Sequence, residues 1–265
     1  MMFAADELSR DAFLCGRLHL WQPIKGYRAA TDPVLLAAAC PAKPGQSVLD
    51  LGCGAGAAAL CLASRVPGLS LYGLELHEAY ASLARRNAAE NDLPFQVWTG
   101  DLAAMPAGLK LGFDHVIANP PYYPRAGTPS PVTARDTALR AQTPVADWLR
   151  AGARRLKPGG WLTMIAGADS LPDLLSALAP GPALAPGPGS TPGLGSVTVL
   201  PLAPREGRPA LRILLCARKT GRAAFRLLAP LVLHSGPTHD GDRESYTPKA
   251  RAILRDLADL SAEFR

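Results

Sequence analysis

The fold of this chain is set by a strand that runs into a glycine-rich turn, Ser47-Val48-Leu49-Asp50-Leu51-Gly52-Cys53-Gly54-Ala55-Gly56. An acid lies near the end of the apolar strand, and glycine then occupies alternate positions. Glycine lets a backbone turn sharply and approach a ligand closely, and the helix that follows presents free N–H groups. A GxGxxG spacing indicates a dinucleotide pyrophosphate. The GxGxG spacing here, with an acid two residues before it, favours a ligand with an ammonium and a carboxylate. A tight turn without a ligand is the alternative.

Short β-like runs alternate with helical runs on the carboxyl side of this stretch. Such alternation predicts an α/β protein with a doubly wound, mostly parallel sheet and helices on both faces. Ligands of these sheets bind beyond the carboxyl ends of the strands. The predicted strands are 47–51, 69–74, 95–98, 114–118 and 161–166, and the predicted helices are 57–64, 78–91 and 147–156.

Two regions depart from the alternation and define the predicted domain organisation. Residues 1–45 form an extension with a hairpin strand at 13–21, and residues 46–265 form the main domain. Within that domain, residues 180–196 hold five prolines and five glycines and are predicted to be a loop insert. Two antiparallel strands (196–201 and 211–217), a further strand (231–234) and a helix (248–260) are expected after it.

Acids also follow the second and third predicted strands. Glu75 ends the second strand and is placed to accept from both ribose hydroxyls. Asp101 follows the third strand and is placed to accept from an adenine amino group. A solvated loop acid is the alternative for either residue alone. Together with Asp50, these acids describe a nucleoside joined to an amino acid, which is S-adenosylmethionine.

The fourth strand ends in Asn119-Pro120-Pro121-Tyr122. Asn119 offers an amide oxygen and Pro120 a carbonyl, while neither proline has an N–H to donate. Each proline also biases the residue before it towards extended backbone, so the turn is stiff. Tyr122 supplies an aromatic face for a planar group. The tetrapeptide therefore predicts a clamp for a planar molecule that bears an NH2, and a proline-rich turn is the alternative if it is taken alone.

Composition and cysteine usage narrow the class of protein. Only 19% of the 265 residues are charged, and 48% are apolar, which excludes global disorder. The first residues lack the apolar core of a secretory signal, and no stretch is long enough to span a bilayer. The five cysteines are an odd number without metal-ligand spacing, as expected of reduced thiols. We expect a cytoplasmic protein with no metal and no membrane partner.

Positive charge is concentrated in the last quarter of the chain. Residues 205–265 hold 12 Lys and Arg against 7 Asp and Glu, whereas the first 204 residues hold 16 against 15. Such asymmetry favours a polyanionic partner, because Lys and Arg displace counterions along phosphates. A solvated basic face is the alternative.

Two motifs resemble those of a known superfamily. The stretch 50–56 is similar to motif I of class I S-adenosylmethionine-dependent methyltransferases, and 119–122 is similar to motif IV of the branch that methylates adenine N6 or glutamine N5. The resemblance implies a seven-stranded sheet with an antiparallel C-terminal strand. It also implies that Asn119, Pro120 and Tyr122 are catalytic. The cofactor would contact residues of the strand ends, namely Asp50, Gly52, Gly54, Gly56, Glu75, Leu76, Asp101, Leu102 and Asn119.

A closer resemblance covers nearly the whole chain. Residues 25–36 look like the segment before motif I in bacterial tRNA(Val) adenine-37 N6-methyltransferases, and the doubled Tyr122-Tyr123 is also found in that family. The resemblance implies that this segment covers the cofactor, with contacts from Tyr27, Arg28, Thr31 and Asp32. Pro121, Tyr122 and Tyr123 would bind the target base, and the basic C-terminal region would bind tRNA. The insert at 180–196 departs from the family pattern.

Three functions stay open at this point. The first is N-methylation of adenine N6 in tRNA, by direct displacement with the amine held by the clamp. The second is methylation of glutamine N5 in a release factor, which shares the clamp but usually has a separate N-terminal helical domain. The third is a non-catalytic module that binds cofactor or RNA. The oligomeric state is not predicted.

Overall fold

Eleven strands and six α-helices occur in the part of the chain that the computed structural model describes, residues 2–121, 143–178, 193–238 and 245–265. The strands are β1 (Leu8–Phe13), β2 (Leu18–Pro23), β3 (Ser47–Leu51), β4 (Ser70–Glu75), β5 (Phe95–Thr99), β6 (Phe113–Ala118), β7 (Leu156–Gly167), β8 (Leu194–Arg205), β9 (Arg212–Lys219), β10 (Arg226–Leu227) and β11 (Leu231–His234). The helices are α1 (Asp32–Ala39), α2 (Ala57–Arg65), α3 (Glu78–Glu90), α4 (Val145–Arg155), α5 (Leu171–Leu178) and α6 (Pro248–Arg255).

The main sheet has the order β10-β8-β9-β7-β6-β3-β4-β5, and β11 also pairs with β8. Every pairing is parallel except those of β9, which is antiparallel to β7 and β8. The chain runs outward from β3 to β5 and returns to β6 on the other side of β3. This reversal makes the carboxyl ends of β3 and β6 the switch point where such sheets bind ligands. The expected doubly wound sheet is confirmed.

Alternate residues of the central strands pack on opposite faces of the sheet, as the pleat requires. Val48 belongs to one apolar cluster, which includes α1, α2 and α6, whereas Leu49 belongs to the other, which includes α4 and α5. Both residues are fully buried. The alanine-rich α2 is buried from Ala57 to Ala63, so its small side chains let the helix lie close to the sheet.

The N-terminal hairpin is attached to α3 by two asparagines one turn apart. The Asn87 amide accepts from the Trp21 N–H (2.8 Å) and donates to the Trp21 carbonyl (3.0 Å), and Asn91 makes the same pair of bonds with His19. Asn87 Nδ2 also donates to the carbonyl of Ala55 in the glycine-rich turn (2.9 Å). The hairpin is therefore connected directly to the turn after β3.

Several predicted boundaries need correction. The sheet has nine strands instead of the seven that the resemblance implies, so the antiparallel strand β9 is not the last; β11 agrees with the strand expected at 231–234, and β10 is additional. The C-terminal helix ends at Arg255 instead of residue 260, since Leu257 adopts a left-handed φ of 61°. The predicted strand at 13–21 contains the turn between β1 and β2. The insert at 180–196 lies mostly outside the described residues, and 194–196 already belongs to β8.

Helix α1 packs in the core with α2, where Val34 to Ala39 are buried, while Asp32 and Pro33 at its start line the cavity at the ends of the strands. A domain boundary at residue 45 therefore stays a prediction. None of the described helices is long and apolar enough to span a membrane.

Candidate functional site

A cavity of about 750 Å³ lies beyond the carboxyl ends of β3, β4, β5 and β6. Its wall contains fourteen of the predicted site residues, and Gly56 is the one that the structure places elsewhere. Tyr122 and Tyr123 lie outside the described residues. The predicted residues in the wall are Tyr27, Arg28, Thr31, Asp32, Asp50, Gly52, Gly54, Glu75, Leu76, Asp101, Leu102, Asn119, Pro120 and Pro121.

The glycine-rich turn is held against the end of β4. The N–H groups of Gly52 and Cys53 both donate to the Leu74 carbonyl, at 2.7 and 3.0 Å. Gly52 has a φ of 67°, and a Cβ there would lie 2.5 Å from the Trp148 ring. Glycine is therefore required at Gly52 both by the backbone conformation and by the indole packed over it.

Gly56 does not line the cavity but packs against the core, and its predicted contact with the cofactor stays a prediction. It precedes α2 with a φ of 89°, and a Cβ there would meet Phe95, Leu60 and Ala84 at 3.2 to 3.4 Å. The regular glycine spacing does not distinguish a residue that faces a ligand from one that packs against the core.

Glu75 is nearly buried, with 5% of its surface exposed, and both carboxylate oxygens accept backbone hydrogen bonds. Oε2 accepts from the Gly54 N–H (2.9 Å) and Oε1 from the His77 N–H (3.0 Å). A carboxylate oxygen has two lone pairs, so each can accept a further bond from a ligand hydroxyl. Glu75 thus fixes the turn and also presents acceptors to the cavity.

Asp50 is buried at the bottom of the cavity, with 2% exposed, and its Oδ2 accepts from the Ala59 N–H (3.2 Å). Burial raises the pKa of Asp50 to about 8, and repulsion from Glu75 adds to the rise. The carboxyl is thus largely protonated at neutral pH until a positive group lies beside it.

Replacing Asp50 by asparagine should flatten the pH dependence of stability. The pKa rises from about 4 in the unfolded chain to about 8 in the folded protein. The contribution of Asp50 to the free energy of unfolding is therefore greatest below pH 4, and it is lost as the pH rises from about 4 to about 8. In urea unfolding between pH 5 and 8, the wild type should lose up to about 1.4 kcal/mol per pH unit relative to Asp50→Asn. Parallel pH profiles would contradict the raised pKa.

The residues after β4 and β5 complete the side of the cavity. Leu76 is half exposed and Leu102 half-buried, and they supply apolar wall surface. Asp101 is exposed, and its Oδ1 accepts from the Ala103 N–H (2.8 Å). This bond holds the Asp101 carboxylate in place at the mouth of the cavity.

The segment before α1 covers the cavity and reaches the predicted clamp. Asn119 Nδ2 donates to the Tyr27 hydroxyl (3.2 Å). The backbone of Tyr27 is held in turn by the Tyr80 hydroxyl, which accepts from its N–H (3.0 Å) and donates to its carbonyl (3.2 Å). Because Nδ2 is directed towards Tyr27, Oδ1 of Asn119 is directed the other way, as an acceptor.

The guanidinium of Arg28 forms its hydrogen bonds with the N-terminal hairpin. It donates to Asp11 Oδ2 (2.7 Å), to Ser9 Oγ (2.8 Å) and to the Pro23 carbonyl (3.2 Å). Arg28 is part of the cavity wall, and its ion pair with Asp11 attaches the segment before α1 to the hairpin. A direct cofactor contact from Arg28 stays a prediction.

The wall also contains residues that the sequence did not predict, and Arg212 and Trp148 are among them. Arg212 begins β9, and its Nε donates to Asp32 Oδ2 (3.1 Å) across the cavity mouth. Trp148 of α4 packs against the apolar core and also lines the cavity over Gly52. Its Nε1 is buried without a hydrogen-bond partner among the described residues. In the sequence, the amphipathic pattern of α4 is the feature that indicates a buried position for Trp148.

Other candidate chemistry is absent from the described part of the chain. No group of three or more His, Cys, Asp and Glu side chains there could hold a metal ion. All five cysteines are present as free thiols, and burial raises the pKa of Cys53 well above its ordinary value. Cys53 is therefore a packed side chain of the turn and not a nucleophile.

The donors and acceptors of this cavity fit S-adenosylmethionine. Two buried carboxyl groups face the bottom, Asp101 lies at the mouth together with the ion pair of Asp32 and Arg212, and apolar side chains form the wall between them. A phosphate ligand would be disfavoured beside Asp50 and Glu75. With the strand order, these features define a class I methyltransferase whose cofactor is S-adenosylmethionine.

Comparison with known proteins gives the family. A model of the methyltransferase small domain matches residues 30–172, more than half of the chain, and the chain belongs to that family. The similar proteins include a tRNA1(Val) (adenine(37)-N6)-methyltransferase of Porphyromonas gingivalis, 32% identical over 176 residues (62% of this chain and 68% of the relative). A protein of the same name from Dickeya chrysanthemi is 29% identical over 239 residues, 87% of either chain.

Two further similarities bear on the choice of substrate and on the fold. A release factor glutamine methyltransferase of Moorella thermoacetica is 35% identical over 133 residues, 46% of either chain. A solved structure, described as a predicted O-methyltransferase of Agrobacterium tumefaciens, superposes with a TM-score of 0.65 at 25% identity. It covers 86% of this chain and 97% of its own.

Proposed function

We propose that this methyltransferase acts on the exocyclic N6 amine of an adenine in tRNA. The position of Asn119 carries the proposal, because this amide lies at the carboxyl end of β6 in the wall of the cofactor cavity. Two relatives with adenine N6 in their names support it, and one of them aligns with 87% of the chain.

The residues of the clamp would bind and orient the amine. The nitrogen lone pair of adenine N6 is delocalised into the ring, so the amine is a poor nucleophile. Asn119 Oδ1 and the Pro120 carbonyl would accept its two N–H groups, which raises electron density on nitrogen and fixes its direction. Such alignment of reacting groups is worth about 7–11 kcal/mol at best. When bound, S-adenosylmethionine supplies a methyl group on a positively charged sulfur.

The remaining residues would exclude water and stabilise the bound molecules. Pro121, Tyr122 and Tyr123 are proposed to contact the base, with Tyr122 stacked on it. A base in a tRNA loop is already partly unstacked, so moving it into a pocket costs only a few kcal/mol. We also propose that residues 205–265 contact RNA and that the protein acts in the cytoplasm, in agreement with its free thiols.

Tyr27→Phe tests whether the Tyr27 hydroxyl positions the clamp. The ring is kept, so cofactor affinity should change little, whereas kcat should fall about three- to tenfold because the Asn119 amide loses one orienting hydrogen bond. Tyr80→Phe should have the opposite signature: it releases the Tyr27 backbone and weakens cofactor binding more than it lowers kcat. Titration calorimetry and saturation kinetics separate the two effects. If Tyr27→Phe weakened cofactor binding and left kcat unchanged, the positioning role would be wrong.

Glutamine N5 in a release factor is the second candidate, since the same clamp accepts from a primary amide. The similar release factor enzyme supports it over 46% of the chain, whereas the tRNA enzymes match more of it.

Radiolabelled S-adenosylmethionine distinguishes the candidates. The protein is incubated with unmodified tRNA or with a release factor that contains Gly-Gly-Gln. We expect label in tRNA, recovered as N6-methyladenosine after nuclease digestion. Label in protein alone would overturn the proposal in favour of glutamine N5. No transfer to either, with intact cofactor binding, would favour a non-catalytic module.

A further inference from the structure

A second cavity, of about 830 Å³, lies at the other ends of the parallel strands from the cofactor cavity. Asp114 and Trp161 place it near the amino ends of the parallel strands β6 and β7, and Arg218 and Arg226 contribute from the neighbouring strands. We call it the amino-edge cleft. A parallel strand rises about 3.3 Å per residue, so the five residues of β3 put roughly 15–20 Å between this cleft and the cofactor cavity.

The amino-edge cleft is strongly basic. Its five cations come from five separate segments of the chain, and Asp114 is the carboxylate side chain in its lining. Lys157 pairs with Asp114 (2.9 Å). Arg218 donates to the Gly159 carbonyl (3.1 Å), and Arg226 donates to Thr198 Oγ1 (3.3 Å) and to the main-chain oxygens of Glu263 and Arg265 (3.2 and 3.3 Å), so neither guanidinium bonds to a described carboxylate side chain. The cations are Lys43, Lys157, Arg218, Arg226 and Arg265.

The other walls of the cleft do not reduce this positive charge. His115 is buried, with 2% exposed, and burial lowers its pKa to about 4, so it is neutral. Its Nε2 bonds to Gln46 Oε1 (2.8 Å). The Trp161 ring is half-buried, with the Arg218 guanidinium 5.7 Å from its centre. The cleft therefore combines cations with a planar apolar surface.

Like charges that converge in a concave site repel one another, and the low-dielectric walls strengthen their field. A bound anion relieves that repulsion. An extended polyanion is the ligand best matched to five cations on long, exposed side chains, because it releases many counterions at once. A planar surface beside arginine also suits a nucleotide base.

We propose that the amino-edge cleft binds the phosphate backbone of the RNA substrate, away from the nucleotide that is methylated. The proposal rests on the proposed function, since it supplies the RNA. A structured RNA is large enough to contact both edges of the sheet. The cleft would then add affinity and register without taking part in the chemistry.

The double variant Lys43→Gln/Arg218→Gln tests the proposal. Both side chains are exposed and neither lines the cofactor cavity. Affinity for tRNA, measured by filter binding from 50 to 200 mM salt, should fall about tenfold at low salt, and the slope of log K against log salt should decrease by about 1.5–2. Affinity for S-adenosylmethionine and kcat at saturating tRNA should not change. The matched control Arg17→Gln/Lys110→Gln makes the same charge change outside both cavities and should bind tRNA like the wild type.

Conservative and small-anion probes decide between the outcomes. Arg218→Lys keeps the charge and should keep most of the tRNA affinity. If the double variant and the control had equal tRNA affinities and salt slopes, the proposal would be wrong while the proposed function could stand. If inorganic pyrophosphate bound the cleft, and the double variant lost that binding but not tRNA binding, the cleft would be a small-anion site. If the wild type methylated no RNA, the proposed function would fall, and this proposal with it.

Discussion

Asn119→Ala should lower the rate of methyl transfer about 100- to 1,000-fold, the range found when one preorganised hydrogen-bonding group is removed from an active site. Asn119 lies at the end of β6 with its amide held by Tyr27, so the loss of Oδ1 removes an acceptor for the target amine. Cofactor affinity should be retained, because the groups expected to bind most of the cofactor lie on β3, β4 and β5. Single-turnover transfer and calorimetric cofactor binding measure the two quantities.

The exposed Gln96 of β5 provides a matched control, since Gln96→Ala also removes an amide but lies outside the cavity. Its transfer rate should equal that of the wild type. If Asn119→Ala abolished cofactor binding, the assignment of Asn119 to the target amine would be wrong.

Glu75→Ala should weaken binding of S-adenosylmethionine by about 100-fold or more. The carboxylate accepts from the N–H groups of Gly54 and His77, and a hydrogen bond to a charged group is worth about 1.5–3 kcal/mol. Its removal therefore loosens the glycine-rich turn and also takes away the acceptors expected for the ribose. Isothermal titration calorimetry measures the dissociation constant directly.

Glu75→Gln keeps one acceptor oxygen and the side-chain volume, so its affinity should lie between those of the alanine variant and the wild type. Glu78→Ala is the matched control: this exposed acid begins α3, bonds to Ser82 and Arg85, and does not line the cavity. An unchanged cofactor affinity in Glu75→Ala would contradict the role given to this carboxylate.

Much of the fold could be predicted because its signals are local. The apolar run of β3, its glycine-rich turn and the alternation that follows identify a parallel sheet without any long-range information. The positions of Glu75 and Asp101 then follow from topology, since parallel strands bring their carboxyl ends to one edge. Their roles in binding stay predictions until the variants are measured.

The parts that could not be predicted depend on distant contacts. Arg212 meets Asp32 from 180 residues away, and Trp148 approaches Gly52 from a later helix. Nothing in a one-dimensional pattern distinguishes Arg212 from the other arginines of the C-terminal region. Gly56 depends on such contacts too, because its spacing alone does not show that Phe95, Leu60 and Ala84 pack where its Cβ would lie.

The two asparagines of α3 also affect whether the hairpin can pair with a strand of another molecule. A two-stranded ribbon ordinarily has an open edge whose N–H and C=O groups can recruit a strand from another chain. Asn87 and Asn91 occupy those groups of β2 at His19 and Trp21, so a helix acts there as the neighbouring strand. The side chains that fasten the hairpin thereby close a route to aggregation.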